Sequence, residues 1–422
     1  MLRSVKLSLL AFAAAGALAL SAAAPANAQS GEPIKIGFSM SLTGPLSPNG
    51  KQALLGLQIW EEELNAKGGL LGRPVKLIYY DDQSQSAPVP GIYTKLLDVD
   101  KVDLVLGPYA TVPAAAAMPV VMQKQKMMII LFGLGVNTEF KYDKFFAMIP
   151  SGPDPKPSFT TGFFEIAAAQ NPKPETVAFI AADQEFSKNA CDGAKDNAKK
   201  IGLRTVYDRS YPPTTTDFTP VVRAIQAANP DVVAVCSYPL DSVGIVKATN
   251  EINFKPKMIG GAMVGLQATG IKNQLGSLLN GWTNYETWVP DKKMYFEGTD
   301  EFFKKYQSRA QAAGVDALGY YLGGWGYAYA QVLEQAVKGA KTLNDAQLAD
   351  YIKKNKFKTI HGDIEFGANG EWKTSGMLQV QYHSIKQGPP TVETWRGMDY
   401  QTVLTPANLK TGNLVYPMEK AK

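Results

Sequence analysis

The stretch Ile34-Lys35-Ile36-Gly37-Phe38-Ser39-Met40, followed by a loop from Leu42 to Gly50 and an amphipathic run from Lys51 to Lys67, decides the fold. The first seven residues read as a strand. Thr43-Gly44-Pro45 and Ser47-Pro48-Asn49-Gly50 read as a loop, and Leu54, Leu57, Trp60 and Leu64 recur at helical spacing until Gly68-Gly69 stops the helix. This strand-loop-helix unit repeats outward: strand Val75 to Tyr80, helix Gly91 to Leu97, strand Val102 to Leu106, helix Pro113 to Lys124, strands Met127 to Leu131 and Phe145 to Ile149. Such alternation is the pattern of βαβ units on a mostly parallel sheet. Ser151-Gly152-Pro153-Asp154-Pro155-Lys156-Pro157, the densest proline stretch, marks a first domain boundary, and the rhythm then restarts. Helices are expected at Phe159 to Gln170, Phe186 to Ile201, Phe218 to Ala228 and Asp241 to Asn250, with strands at Val177 to Ala182, Thr205 to Ser210, Val232 to Cys236 and Lys257 to Ile259. Strand Trp282 to Val289, helices Thr299 to Ala312 and Leu318 to Val337, and hairpin-like segments from Gly362 onward do not begin a third domain. They are expected to complete the first two.

Composition narrows the function classes. A chain of 422 residues, 45% hydrophobic and 19% charged, can bury a sizeable core. Its formal charge of +5 is too small and too scattered for a nucleic-acid groove. Two cysteines exclude a disulfide-built scaffold, and two histidines, His361 and His383, leave little for a zinc site or a His-based catalytic set. No Gly-x-Ser-x-Gly is present, so an exported α/β enzyme is the weaker alternative, and no cofactor or metal is expected. At the N-terminus, Arg3 and Lys6, the apolar run Leu7 to Leu20 and Ala26-Asn27-Ala28 have the layout of a signal peptide cleaved after Ala28. The run is shorter than the ~20 apolar residues that cross a bilayer. No later stretch is long enough either, which disfavours a membrane-tethered signalling ectodomain. The mature chain is expected to be periplasmic.

Three stretches carry a resemblance. Ile36-Gly37-Phe38-Ser39-Met40-Ser41-Leu42-Thr43-Gly44-Pro45, then Asn65-Ala66-Lys67-Gly68-Gly69-Leu70-Leu71-Gly72-Arg73-Pro74 leading to Tyr80-Asp81-Asp82, then Val105-Leu106-Gly107-Pro108, resemble the periplasmic branched-chain amino-acid-binding (leucine-binding-like) proteins of ABC importers. The resemblance implies an α/β type I periplasmic-binding fold, two doubly wound parallel-sheet lobes joined by three crossings near Pro150, Trp282 to Val289 and His361 to Phe366. It divides the chain into residues 29–150 plus 288–360 as lobe 1, 151–287 plus 361–401 as lobe 2, and 402–422 as a C-terminal tail. It also implies a monomer that takes a small carboxylate from solution and delivers it to permease subunits. Independently of the name, ligands of open parallel sheets sit beyond the carboxyl ends of the strands, where unpaired N–H groups favour anions.

Carried over residue by residue, the family pattern places a carboxylate-binding hydroxyl at Thr111, which equally suits a helix N-cap, beside Tyr109 and Ala110. The second hydroxyl position falls in Phe132-Gly133-Leu134-Gly135, which has none. A cleft-mouth aromatic aligns with Asn49, and the second-lobe aromatics align with Phe186 and Tyr238. The acid that binds the ligand's ammonium in amino-acid-binding members aligns with Ala262, next to Met263. A buried ammonium without a carboxylate is costly, so a zwitterion is poorly served unless Asp183 or Glu185 substitutes. Aromatic walls, with Tyr320 expected to face the cleft, instead suit an aromatic carboxylate of benzoate or phenylpropenoid type, as bound by relatives within the family. The leucine/isoleucine/valine-binding disulfide positions align with Ser84 and Ala110. Cys191 and Cys236 either pair with each other or remain two buried thiols.

Overall fold

Strand and helix alternate from Ile34 onward in the computed structural model, which describes residues 31–421. The expected leader and its cleavage point lie outside the described residues. The first series runs β1 (Ile34–Met40), α1 (Ser47–Ala66), β2 (Val75–Asp81), α2 (Val89–Asp98), β3 (Leu104–Leu106), α3 (Thr111–Gln123), β4 (Met128–Ile130), α4 (Asn137–Phe140) and β5 (Phe145–Ala147). Its five strands form a wholly parallel sheet of order β2-β1-β3-β4-β5. The second series runs α5 (Pro155–Ala168), β6 (Thr176–Ala182), α6 (Glu185–Lys200), β7 (Arg204–Tyr211), α7 (Thr219–Ala227), β8 (Val232–Ser237), α8 (Pro239–Glu251), β9 (Met258–Met263), α9 (Thr269–Leu275) and β10 (Thr283–Glu286). Five of its strands repeat the order of the first sheet, β7-β6-β8-β9-β10. In that order the connections reverse direction beside the first strand of each series, which opens a crevice at the carboxyl ends of the strands.

The last part is shared out. Helices α10 (Thr299–Ala313), α11 (Leu322–Ala340) and α12 (Asp345–Lys354) and the hairpin β11 (Lys356–Thr359) and β12 (Gly362–Glu365) pack on the first sheet's side. Strands β13 (Leu378–Tyr382) and β14 (Gln401–Thr405) extend the second sheet beyond β10, β13 antiparallel to β10 and β14 antiparallel to β13. Helices α1 and α11 cross so closely that a Cβ on Gly326 would collide with the Ala53 carbonyl, which explains the glycine-rich start of α11. Burial of Trp60, Trp282, Trp288 and Trp325 anchors the core; each such side chain contributes roughly 1.5–3 kcal/mol.

Two expected boundaries are corrected. Residues 361–372 belong with the first sheet: His361 stacks on Trp325 of α11 at 4.2 Å, and the Gly370 carbonyl accepts the Ala147 N–H at the edge of β5. The third crossing therefore follows them, where the Gly376 N–H donates to the Pro150 carbonyl and ties it to the first crossing. Residues 402–422 are not a separate tail. They supply most of β14, and Met418, buried, donates its N–H to Lys257 ahead of β9.

Candidate functional site

The carboxyl ends of the two sheets face each other across an aromatic cavity. On the first side it is lined by Leu46 from the loop after β1, Tyr109, Ala110 and Thr111 after β3, Phe132, Gly133 and Leu134 after β4, Ile149, and Tyr321 just before α11. Phe186, Tyr238, Val264 and Tyr285 close it from the second side. Its free volume is about 20 Å³, space for roughly one water, so the lobes must part to admit a solute.

Thr111 begins α3, but its hydroxyl does not cap that helix. Its Oγ1 accepts the Leu134 N–H at 3.0 Å, stitching the loop after β3 to the loop after β4. With that lone pair occupied, the hydroxyl proton remains to donate into the cavity that Thr111 lines. The N–H groups of Thr111 and Val112, in the first turn of α3, have no intrahelical acceptor, and a helix start of this kind favours an anion. Ala110, before the helix, has φ 78° and ψ 156°, a conformation nearly confined to glycine. It is held there by its own N–H, which donates to the Phe132 carbonyl at 2.7 Å. Backbone strain is thus held where the N–H groups must be aimed.

The rest of the lining is rings and hydroxyls. Phe132 meets Tyr321 edge-on at 5.8 Å, and Phe186 meets Tyr238 edge-on at 5.8 Å. Phe159 supports Phe186 and Tyr285 from behind. The hydroxyls of Tyr285 and Tyr321 share a hydrogen bond of 3.0 Å across the cleft. Burial raises the pKa of Tyr109 to about 12 and pushes those of Tyr238, Tyr285 and Tyr321 up as well, so all four present neutral hydroxyls at physiological pH. Among the described residues no acidic or basic side chain lines the cavity. Asp183 is exposed and paired with Lys188, and Glu185 lies outside the lining, its pKa raised by burial and by the negative charge of Glu139. Of the buried acids beside lining residues, Asp241 is engaged by the Tyr211 hydroxyl at 3.0 Å and Glu286 by the Tyr382 hydroxyl at 3.3 Å.

Of the residues singled out from sequence, Tyr109, Ala110, Thr111, Phe132, Gly133, Leu134, Phe186 and Tyr238 converge on the cavity. Four do not. Asn49 lies in the first turn of α1 rather than in a loop, and it stands behind the lining, donating to the Tyr109 hydroxyl at 3.0 Å. Ala262 and Met263 are inside β9, which runs further than expected, so Val264 beyond its end is the residue that reaches the cavity. Tyr320 packs on Trp288 at 4.9 Å and Phe303 at 5.2 Å, and Tyr321 faces the ligand space instead. The reason is local: Asp316 accepts the N–H groups of Leu318 and Gly319, Gly319 takes φ 71°, and α11 begins only at Leu322. Leu46, Ile149, Val264, Tyr285 and Tyr321 had no motif to mark them.

Two further features tie the site together. Asn189 of α6 donates to the Leu134 carbonyl at 2.9 Å, a buried bond from the second lobe to the first. Cys191 and Cys236 form a disulfide that fastens α6 to β8, the two elements that carry Phe186 and lead into Tyr238. Among the described residues no cluster of His, Cys, Asp and Glu suits a metal ion, and no helix is long and apolar enough to cross a membrane.

Two sheets of matching strand order that enclose a closed aromatic site at their facing edges define a two-lobed protein that binds small molecules. The family described as periplasmic binding protein matches residues 33–387, and the chain belongs to it. The Leu/Ile/Val-binding protein homolog 7 of Brucella abortus (strain 2308) is 26% identical over 378 residues, 86% of this chain and 92% of its own. The solved leucine-binding protein LivK of Thermotoga maritima superposes with a TM-score of 0.74 at 20% identity, covering 89% of this chain and all (100%) of its own. An ABC-transporter solute-binding protein of R. palustris solved with 4-hydroxybenzoate superposes with a TM-score of 0.71 at 16% identity, over 85% of this chain and 95% of its own. The fold is therefore of the type I periplasmic-binding kind.

Proposed function

We propose that this chain is the exported solute receptor of an ABC importer, a monomer that closes its lobes on a small aromatic carboxylate and delivers it to permease subunits in the membrane. One observation carries the reading: the cavity is walled by aromatic rings and hydroxyl or N–H donors, with no charged side chain among the described residues that line it. The carboxylate would meet the Thr111 hydroxyl and the first-turn N–H groups of α3, while the ring lies among Phe132, Phe186 and Tyr238. The structural likeness to the 4-hydroxybenzoate-bound protein supports it. Removal of residues 1–28 and release into the periplasm belong to the same proposal.

The names of the Brucella relatives favour a second reading, a branched-chain amino-acid receptor. Against it stands the α-ammonium of such a ligand, which finds no carboxylate among the described residues of the lining and would be buried at a cost of several kcal/mol. Thermal unfolding of the purified protein with a panel of aromatic acids and branched-chain amino acids separates the two. A ligand at about 100 times its Kd adds about 2.7 kcal/mol to stability. The proposal expects that gain from aromatic acids; a gain with leucine, isoleucine or valine alone would refute it.

A further inference from the structure

A second space, about 450 Å³, lies between the lobes beside the aromatic cavity. Pro48, Asn49 and Gln52 at the start of α1 form one wall; Pro239, Leu240 and Gly270 at the starts of α8 and α9 form the other. The two linings are contiguous along the chain. Leu46 lines the cavity and Pro45 the chamber, Tyr238 the cavity and Pro239 the chamber, and the Tyr109 hydroxyl in the cavity is held by Asn49 in the chamber wall. Ligand pockets run to about 300–1,000 Å³, a size the chamber has and the cavity lacks.

Two residues of the chamber wall bear on its use. Leu240, at the start of α8, is 70% exposed and gives that wall apolar surface. Gln52 is only 1% exposed, donates through Nε2 to the Pro48 carbonyl at 3.2 Å, and has its Oε1 buried without a hydrogen bond. A buried acceptor left unpaired is unfavourable until a donor arrives. The side of the cleft beside α3 is different in character, with Ser84, Gln85, Ser86 and Gln184 around the Ala110 backbone, and suits the charged end of a ligand or water.

We infer that the chamber receives the end of the ligand remote from its carboxylate, with Asn49 as the movable partition, so that the receptor selects aromatic acids extended by an apolar chain or a second ring over benzoate itself. The inference rests on the aromatic-carboxylate reading above and names the substrate class for it. The carboxylate stays at α3, the first ring occupies the aromatic cavity, and the extension passes where the Asn49 side chain swings off Tyr109.

Calorimetric titration of the mature chain with benzoate and with biphenyl-4-carboxylate tests this. The wild type should bind the biphenyl acid at least tenfold more tightly. Gly270→Phe should fill the chamber without strain, because a Cβ at Gly270 meets no atom within 4 Å. It is expected to weaken the biphenyl acid at least tenfold while benzoate stays within about twofold. Asn49→Ala, which opens the partition, should raise the biphenyl-to-benzoate preference above that of the wild type. If both acids bind and neither variant changes their ratio, the chamber plays no part and the inference is overturned while the aromatic reading stands. If neither acid binds and isoleucine does, the aromatic reading has failed and this one with it.

Discussion

Replacing Thr111 by valine removes one hydroxyl and keeps the β-branched shape, so packing around the start of α3 is nearly preserved. Two interactions disappear. The Leu134 N–H loses its acceptor at 3.0 Å in a buried place, which costs about 1–3 kcal/mol of folding stability. A carboxylate bound in the cavity loses a hydroxyl donor. A hydrogen bond to a charged group contributes about 1.5–3 kcal/mol, which converts to roughly a 10- to 150-fold rise in Kd. Thr111→Ser keeps the oxygen and should restore both. Calorimetric titration with an aromatic acid and thermal unfolding, run on the two variants and the wild type, read the two effects separately. Reduced stability with unchanged affinity in Thr111→Val would refute the ligand role and leave Thr111 as a stitch between two loops.

Other consequences can be checked without a ligand. Glu371 is 2% exposed with neither carboxyl oxygen hydrogen-bonded, and burial raises its pKa from 4.5 to about 8. The folded chain keeps this proton where the unfolded chain has lost it, so its stabilisation is full below about pH 4.5 and is lost as pH rises towards 8. Glu371→Gln removes that slope, and unfolding curves between those pH values should shift steadily in the variant's favour as pH rises. Opening the Cys191–Cys236 disulfide, which closes a separation of 45 residues, should cost about 4 kcal/mol, seen as a lower Tm in reductant that Cys191→Ser does not lower further. Asn189→Ala removes the buried bond to Leu134 across the cleft, worth about 1 kcal/mol. The open-to-closed ratio should rise about fivefold, visible as a larger radius of gyration in solution scattering.

Much of the fold was legible because each strand is short, apolar and followed by a helix with its own periodicity; β1 and α1 show both signals within residues 34–66. What escaped was decided by tertiary contact. The strand expected to end at Ile259 continues through Gly260-Gly261 as β9, where β10 lies so close that a Cβ at Gly260 would collide with the Thr283 carbonyl. Pro48 reads as loop, yet proline suits the first turn of a helix and α1 starts at Ser47. In the site, the loops directly following β3 and β4 could be placed because their positions follow from the sheet rule. Tyr285 and Tyr321 could not: one comes from the middle of a crossing, the other from a turn whose phase Asp316 sets. The disulfide needed the register of β8 beside α6, which spacing alone does not contain.

The central claim is that the cleft accepts a carboxylate and rejects an ammonium. Titrating 3-phenylpropanoate and phenylalanine, which differ only by the α-ammonium, into the mature protein tests it most directly. The account predicts that the acid binds and that phenylalanine binds at least a hundredfold more weakly, since an unpaired buried ammonium costs several kcal/mol. Equal or tighter binding of phenylalanine, or tight binding of leucine with none of the acid, would contradict it.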